Sequence, residues 1–140
     1  MILIDTSVIS ELWKAAPDAK VSAWVDAQAI ETLYLSSITV AELRYGLTTM
    51  PEGKRRVVYQ ARLEGEVLPA FTGRVLAFDL AASKTYAERL AVARAAGRAI
   101  AKADGYIAAI AATHSLMVAT RDISPFVAAG VSVINPWEAA

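Results

Sequence analysis

Five short apolar runs recur along this chain, separated by longer stretches with helical spacing: Met1–Ile4, Leu33–Ser36, Val75–Phe78, Leu116–Ala119 and Val131–Ile134. A strand with one face in water alternates apolar and polar residues, whereas a strand buried on both faces is apolar almost throughout. Buried strands that alternate with helices form a parallel sheet covered on both sides. The expected fold class is therefore α/β, a three-layer α/β/α arrangement with a central parallel sheet of about five short strands. Helices are expected over Thr6–Trp13, Ala19–Gln28, Ile38–Thr48, Glu52–Leu68 with a stop near Pro69, Ala81–Ala96 with Gly97 as its stop, and Ala103–His114. A short turn is expected from Ser124 to Ala128. No internal repeat, linker or low-complexity segment interrupts this order, so residues 1–140 are expected to form one domain.

Composition narrows the chemistry. The 140 residues are 56% hydrophobic, enough for a real core and enough to predict an oligomer or a bound partner. There is no cysteine, which excludes disulfides and thiolate zinc sites. One histidine, His114, cannot build a histidine-rich metal site. The opening MILIDTSVIS lacks a basic n-region and carries Asp5, so no signal peptide is expected. The longest apolar stretch, around Tyr106 to Ala112, is far short of the roughly 20 residues that span a bilayer. The expectation is a soluble, cytoplasmic protein. Net charge is zero, with 14 basic and 14 acidic residues, which counts against a nucleic-acid binder. Basic residues nevertheless cluster, in Lys54, Arg55, Arg56 and Arg62 and in Arg89, Arg94, Arg98 and Lys102. Each cluster reads either as phosphate contacts or as a solvated helix face.

Four carboxylates stand in unusual surroundings. Asp5 is the only charge in the first ten residues and directly follows the first strand, where ligands bind in open α/β sheets. It also fits a helix N-cap. Glu42 is the only charge between Thr32 and Leu43, yet Thr39-x-x-Glu42 fits a capping box. Asp104 opens ADGYIAAIAA, and no charge follows it until Arg121. Ile107, Ala108 and Ala111 share its helix face, so an ionised carboxylate there costs several kcal/mol unless a positive group compensates. An arginine would serve, and so would a bound cation. Asp122 follows the strand LMVAT and fits either a ligand or the N-cap of the turn at Ser124. Two of these acids follow strands and two lie near helix starts, so a parallel sheet can gather all four at one edge. Gathered there they repel, and a divalent cation removes the conflict. Oxygen-only ligation selects Mg²⁺ or Mn²⁺ over Zn²⁺. Acidic clusters holding such ions hydrolyse phosphodiesters.

The ordered set MILIDTSVISE, SSITVAELRYG, ADGYIAAIA, VATRD and VINPW resembles the PIN-domain nucleases, specifically VapC-type toxins of toxin–antitoxin pairs and their FitB-like branch. The resemblance covers essentially the whole chain. It implies a PIN-like fold and a metal-dependent endoribonuclease, with RNA as substrate, a small antitoxin as partner, and a homodimer. Asp5, Glu42 and Asp104 fall on the family's acidic positions and Asp122 on a more variable fourth. Thr6 and Thr120 fall where the family often carries a hydroxyl near the metal or its waters. Two departures stand out. Ser7 occupies a position where many members have Asn, and Asp122 replaces another Asn while Pro125 holds the later acid position.

Two other functions compete. An aspartyl-phosphate phosphatase requires a second Asp two residues after the first, where this chain has Ser7. A non-catalytic interaction module would use the acidic pocket to dock a basic partner segment, but has no need to crowd carboxylates.

Overall fold

A computed structural model describes residues 1–139. Five strands form one parallel sheet: β1 (Ile2–Ile4), β2 (Leu33–Ser36), β3 (Val75–Leu76), β4 (Met117–Ala119) and β5 (Val133–Ile134). Their order is β3-β2-β1-β4-β5. In register, Leu3 faces Tyr34 on one side and Val118 on the other, and Ile4 faces Ala119. The helices are α1 (Thr6–Leu12), α2 (Ala19–Asp26), α3 (Ser37–Thr48), α4 (Lys54–Arg62), α5 (Leu68–Ala70), α6 (Leu80–Ala95), α7 (Lys102–Thr113) and α8 (Ser124–Ala128).

Alternation along the strands divides the core into two layers. Ile4, Leu33, Leu35 and Ala119 pack on one face with Val8 and Ile9 of α1, Val21 of α2 and Leu43 and Leu47 of α3. Leu3 and Val118 pack on the other with Ala82 of α6, Ile107, Ile110 and Ala111 of α7 and Phe126 of α8. Leu3, Leu35 and Val118 are all fully buried, each stabilising the fold by about 1.5–3 kcal/mol. A one-residue slip would exchange the two layers' side chains, so burial on both faces fixes the register.

The expected helices and strands are all present, with ends displaced by a few residues. The strand expected over Val75–Phe78 is only two residues long, because Phe78 turns away to pack on Tyr106 and Tyr86. The helix expected over Glu52–Leu68 begins at Lys54, then widens into a π-helical turn at Leu63–Val67 before α5. The helical run ends at Ala70, one residue beyond Pro69, so its stop falls near the proline as expected. Gly97 does end α6, at φ +76°, with its N–H donating to the Arg94 carbonyl and the Arg98 N–H to that of Ala93. Among the described residues no helix is long and apolar enough to cross a membrane.

Candidate active site

Strand order dictates where the site lies. From β1 the chain steps outward to β2 and β3, then returns to add β4 and β5 on the other side of β1. The reversal falls between β1 and β4, and the crevice beyond the carboxyl ends of those strands is where open α/β sheets bind ligands. Asp5 immediately follows β1; Thr120, Arg121 and Asp122 immediately follow β4.

Asp5 holds the N-cap position of α1, yet its side chain makes no capping bond. Two other aspartates show what capping looks like in this fold. Asp18 accepts from the backbone N–H groups of Lys20 and Val21, and Asp79 from that of Ala82. Asp5 Oδ2 instead accepts from Ser7 Oγ at 2.9 Å and Thr120 Oγ1 at 2.8 Å. Asp5 is 8% exposed and Thr120 1%, so this carboxylate is fixed by hydroxyl donors with little help from water. The second oxygen, Oδ1, receives no donor among the described residues. Ser7 Oγ also accepts from the Arg121 N–H at 3.3 Å, tying the loops after β1 and β4 together. Ser7 thus uses its hydroxyl as a bridge.

Glu42 is not part of a capping box. The N-cap of α3 is Ser36, whose Oγ accepts from the Thr39 N–H at 3.0 Å. Thr39 is one turn inside the helix, fully buried, and its hydroxyl shares a 3.1 Å hydrogen bond with Thr6. Thr6 Oγ1 donates to Glu42 Oε1 at 2.7 Å. The start of α1 therefore orients both acids: Thr6 holds Glu42 and Ser7 holds Asp5.

Asp104 lies in the first turn of α7, half-buried, and accepts no hydrogen bond among the described residues. Burial pushes its carboxyl above the ordinary range, and the charges of Asp5, Glu42 and Asp122 push it further. These contributions place Asp5, Glu42 and Asp122 within electrostatic reach of Asp104. Among the described residues no arginine forms an ion pair with any of the four. The three ion pairs among the described residues join Lys14 to Glu11, Arg44 to Glu64 and Arg62 to Glu66. Arg121, the cation nearest Asp122 in sequence, has its guanidinium 5.2 Å from the centre of the Trp137 ring. Gly105 allows the start of α7 to pack closely on α6, for a Cβ there would lie 3.0 Å from Leu90 Cδ2 and Tyr86 Cε2.

Asp122 is exposed, and its Oδ1 accepts from the Ser124 N–H at 3.3 Å. It supports the turn into α8 with one oxygen and leaves the other free, which makes it the least committed of the four. His114 follows the far end of α7, about 15 Å from Asp104 at the rise of a helix, and has no place in the site.

The donor set suits a hard cation: carboxylate and hydroxyl oxygens, with no sulfur or imidazole. Among the described residues no three acidic or histidine side chains stand close enough for a ready-made cage of direct ligands. Mg²⁺ does not require one, since it keeps several of its waters and binds through one or two carboxylates. The unrelieved charge around Asp104 is the feature that fits such an ion.

A buried carboxylate outside this cluster escaped the sequence reading. Glu11 is 5% exposed. The Lys14 ammonium at 3.0 Å, followed by the Asp18 N–H, holds its carboxyl below the ordinary range. Its signal was its position three residues beyond the buried Val8, on the same side of α1.

A switch-point crevice lined by one acid after β1, one after β4 and one on each of two flanking helices defines a recognisable class of protein. The PIN domain model matches residues 2–130, and the chain belongs to that family. It is 68% identical over 140 residues to the VapC ribonuclease Y4jK of Sinorhizobium fredii, covering 100% of both chains. It is 51% identical over 137 residues to Toxin FitB of Neisseria gonorrhoeae, covering 98% of this chain and 99% of that one. The crystal structure of FitAcB from Neisseria gonorrhoeae superposes with a TM-score of 0.97 at 50% identity, over 99% of this chain and 100% of that one.

Proposed function

We propose that this chain is a Mg²⁺- or Mn²⁺-dependent endoribonuclease, the toxin component of a type II toxin–antitoxin system, acting in the cytoplasm on RNA phosphodiester bonds. The observation that carries the reading is Asp104, a half-buried carboxylate that feels the charges of Asp5, Glu42 and Asp122 and takes part in none of the ion pairs among the described residues. The identity to a VapC ribonuclease and to a FitB toxin supports it.

In this reading Asp5, Asp104 and Asp122 hold the ion, with Glu42 joining directly or through water. Bound there, a divalent ion supplies charge neutralisation at the phosphate and a water acidic enough to act as nucleophile at neutral pH. The protein's task is alignment. Thr120 and Ser7 fix one oxygen of Asp5 and leave the other for the ion. Thr6 holds Glu42 on the α3 side, where a carboxylate can orient the attacking water and accept its proton. Water attack at phosphorus expels the 3′-oxygen and leaves a 5′-phosphate and a 3′-hydroxyl. The partner in this reading is a small antitoxin that covers the groove, and the protein acts as a homodimer. Exposed apolar side chains such as Leu80, at 88% exposure, agree with a covered surface.

The test is cleavage of a labelled RNA with Mg²⁺, with Mn²⁺ and with EDTA, by the wild type and by Asp5→Asn and Asp104→Asn. The wild type should cut only with metal and leave 5′-phosphates, while both variants lose at least about a hundredfold in rate. Full metal-dependent activity in Asp5→Asn would end the proposal.

A further inference from the structure

The groove beside Glu42 continues away from the carboxylates. It holds about 280 Å³ and runs from Thr6 and Glu42, over a floor of Leu43, Leu47 and Met50, to Trp13, Lys14, Arg55 and Tyr59. Those last four residues also line an adjoining depression of about 540 Å³, together with Lys54 and Arg62. One end of a continuous surface is therefore acidic and the other carries four cations, on a chain whose net charge is zero.

The basic end is held in a defined shape. Trp13 and Tyr59 stack with ring centres 5.9 Å apart and planes 7° from parallel. The Tyr59 hydroxyl donates to the Trp13 carbonyl at 3.1 Å, which fixes the ring's orientation. The guanidinium groups of Arg55 and Arg62 lie 5.4 and 5.6 Å from the Tyr59 ring centre. A guanidinium resting on an aromatic face keeps its N–H edge free for an incoming oxyanion. Lys14 and Arg62 have acidic neighbours, Glu11 and Glu66, whereas Lys54 and Arg55 take part in none of the three ion pairs among the described residues. Both are exposed.

We propose that this groove is the track along which single-stranded RNA reaches the carboxylates, with Lys54 and Arg55 gripping its phosphates; the proposal rests on the ribonuclease reading above. Charge complementarity and continuity with Glu42 select a polyanion that must extend into the acidic site. The apolar floor suits unpaired bases, whose faces a duplex hides. Because the aromatic rings are occupied by each other and by guanidinium groups, the track grips backbone and carries little sequence preference.

The test is fluorescence anisotropy of a short unstructured labelled RNA, in EDTA to prevent cleavage, across a series of salt concentrations. The Lys54→Ala/Arg55→Ala double variant is compared with wild type and with Arg94→Ala/Arg98→Ala, which removes the same charge from exposed positions elsewhere. The groove variant should bind about tenfold more weakly. The slope of log affinity against log salt should become shallower by about 1.4, the value for two phosphate contacts on a single strand. The control pair should change little. An unchanged groove variant, or equal losses in both pairs, overturns the track. Poly-glutamate that competes as well as RNA at equal charge also overturns it, assigning the groove to an acidic polypeptide. Mg²⁺-dependent cleavage by the wild type is scored separately. If it is absent while the binding loss is present, the ribonuclease reading fails and the RNA-binding groove stands. If cleavage occurs while binding ignores Lys54 and Arg55, the groove alone fails.

Discussion

Thr120→Val isolates the hydroxyl that anchors Asp5. Thr120 is 1% exposed and donates to Asp5 Oδ2 at 2.8 Å, so its loss removes a buried, charge-assisted hydrogen bond. Such bonds contribute about 1.5–3 kcal/mol, and the methyl that replaces the hydroxyl returns about 0.8 kcal/mol through burial. The net cost is about 1–2 kcal/mol. For a chain of this length that lowers the melting temperature by roughly 3–6 °C and the urea midpoint by roughly 0.5–1 M. Chemical unfolding followed by circular dichroism measures it. The decisive comparison repeats the substitution in an Asp5→Asn background, where the bond is neutral and about half as strong. There Thr120→Val should cost about 1 kcal/mol less. Equal costs in the two backgrounds would show that the hydroxyl does not act on the Asp5 carboxylate, and the account of how Asp5 is aimed would be wrong.

Asp104 and Glu11 should give opposite pH signatures in the metal-free protein. The Asp104 carboxyl is pushed up by burial and like charges, so its favourable contribution is full below the ordinary carboxylate range and disappears as pH rises through its higher folded value. Asp104→Asn should therefore melt higher than wild type in EDTA, by a margin that widens from acid to neutral pH; a variant that melts lower at neutral pH contradicts this. Glu11 is held down by Lys14 and the Asp18 N–H, so its contribution is present above the ordinary range and is lost as pH falls through its lower folded value. Glu11→Gln should lower the melting temperature at neutral pH and narrow its gap to wild type on acidification, and a gap independent of pH refutes that. Adding Mg²⁺ at a hundredfold excess over its dissociation constant should stabilise the wild type by about 2.7 kcal/mol, roughly 8 °C, and Asp5→Asn or Asp104→Asn much less. Equal stabilisation of all three places the ion elsewhere.

The two-faced burial of the strands was legible because a period of two leaves no ambiguity once both faces are apolar. Leu3 and Ile4 are adjacent in sequence and lie in different core layers. Strand ends were less legible, since an apolar residue such as Phe78 satisfies a strand or an aromatic cluster equally well until its neighbours are known. The position of Asp5 after β1 was readable, but whether it capped α1 was not. That choice was decided by Thr120, 115 positions away, whose hydroxyl competes successfully with the helix's own N–H groups. Glu42 illustrates the same limit, because Ser36 takes the cap that Thr39 appeared to offer and Thr6 takes Glu42. In each case a local motif offers the side chain a short-range partner, and a longer-range hydroxyl displaces it. Asp104 differs, for no hydrogen bond of either kind reaches it among the described residues. Its isolation was foreshadowed by the absence of any charge in the sixteen residues after it, a stretch too apolar to supply a counter-ion. A half-buried carboxylate that the described residues leave without a counter-ion is costly to the fold, and the proposed cation would offset that cost. In the proposed metal site the acids that are held and the acid left without a partner would be complementary parts of one arrangement: hydroxyl-bound Asp5 and Glu42 would set the geometry, and Asp104 would supply the unbalanced charge that draws an ion in.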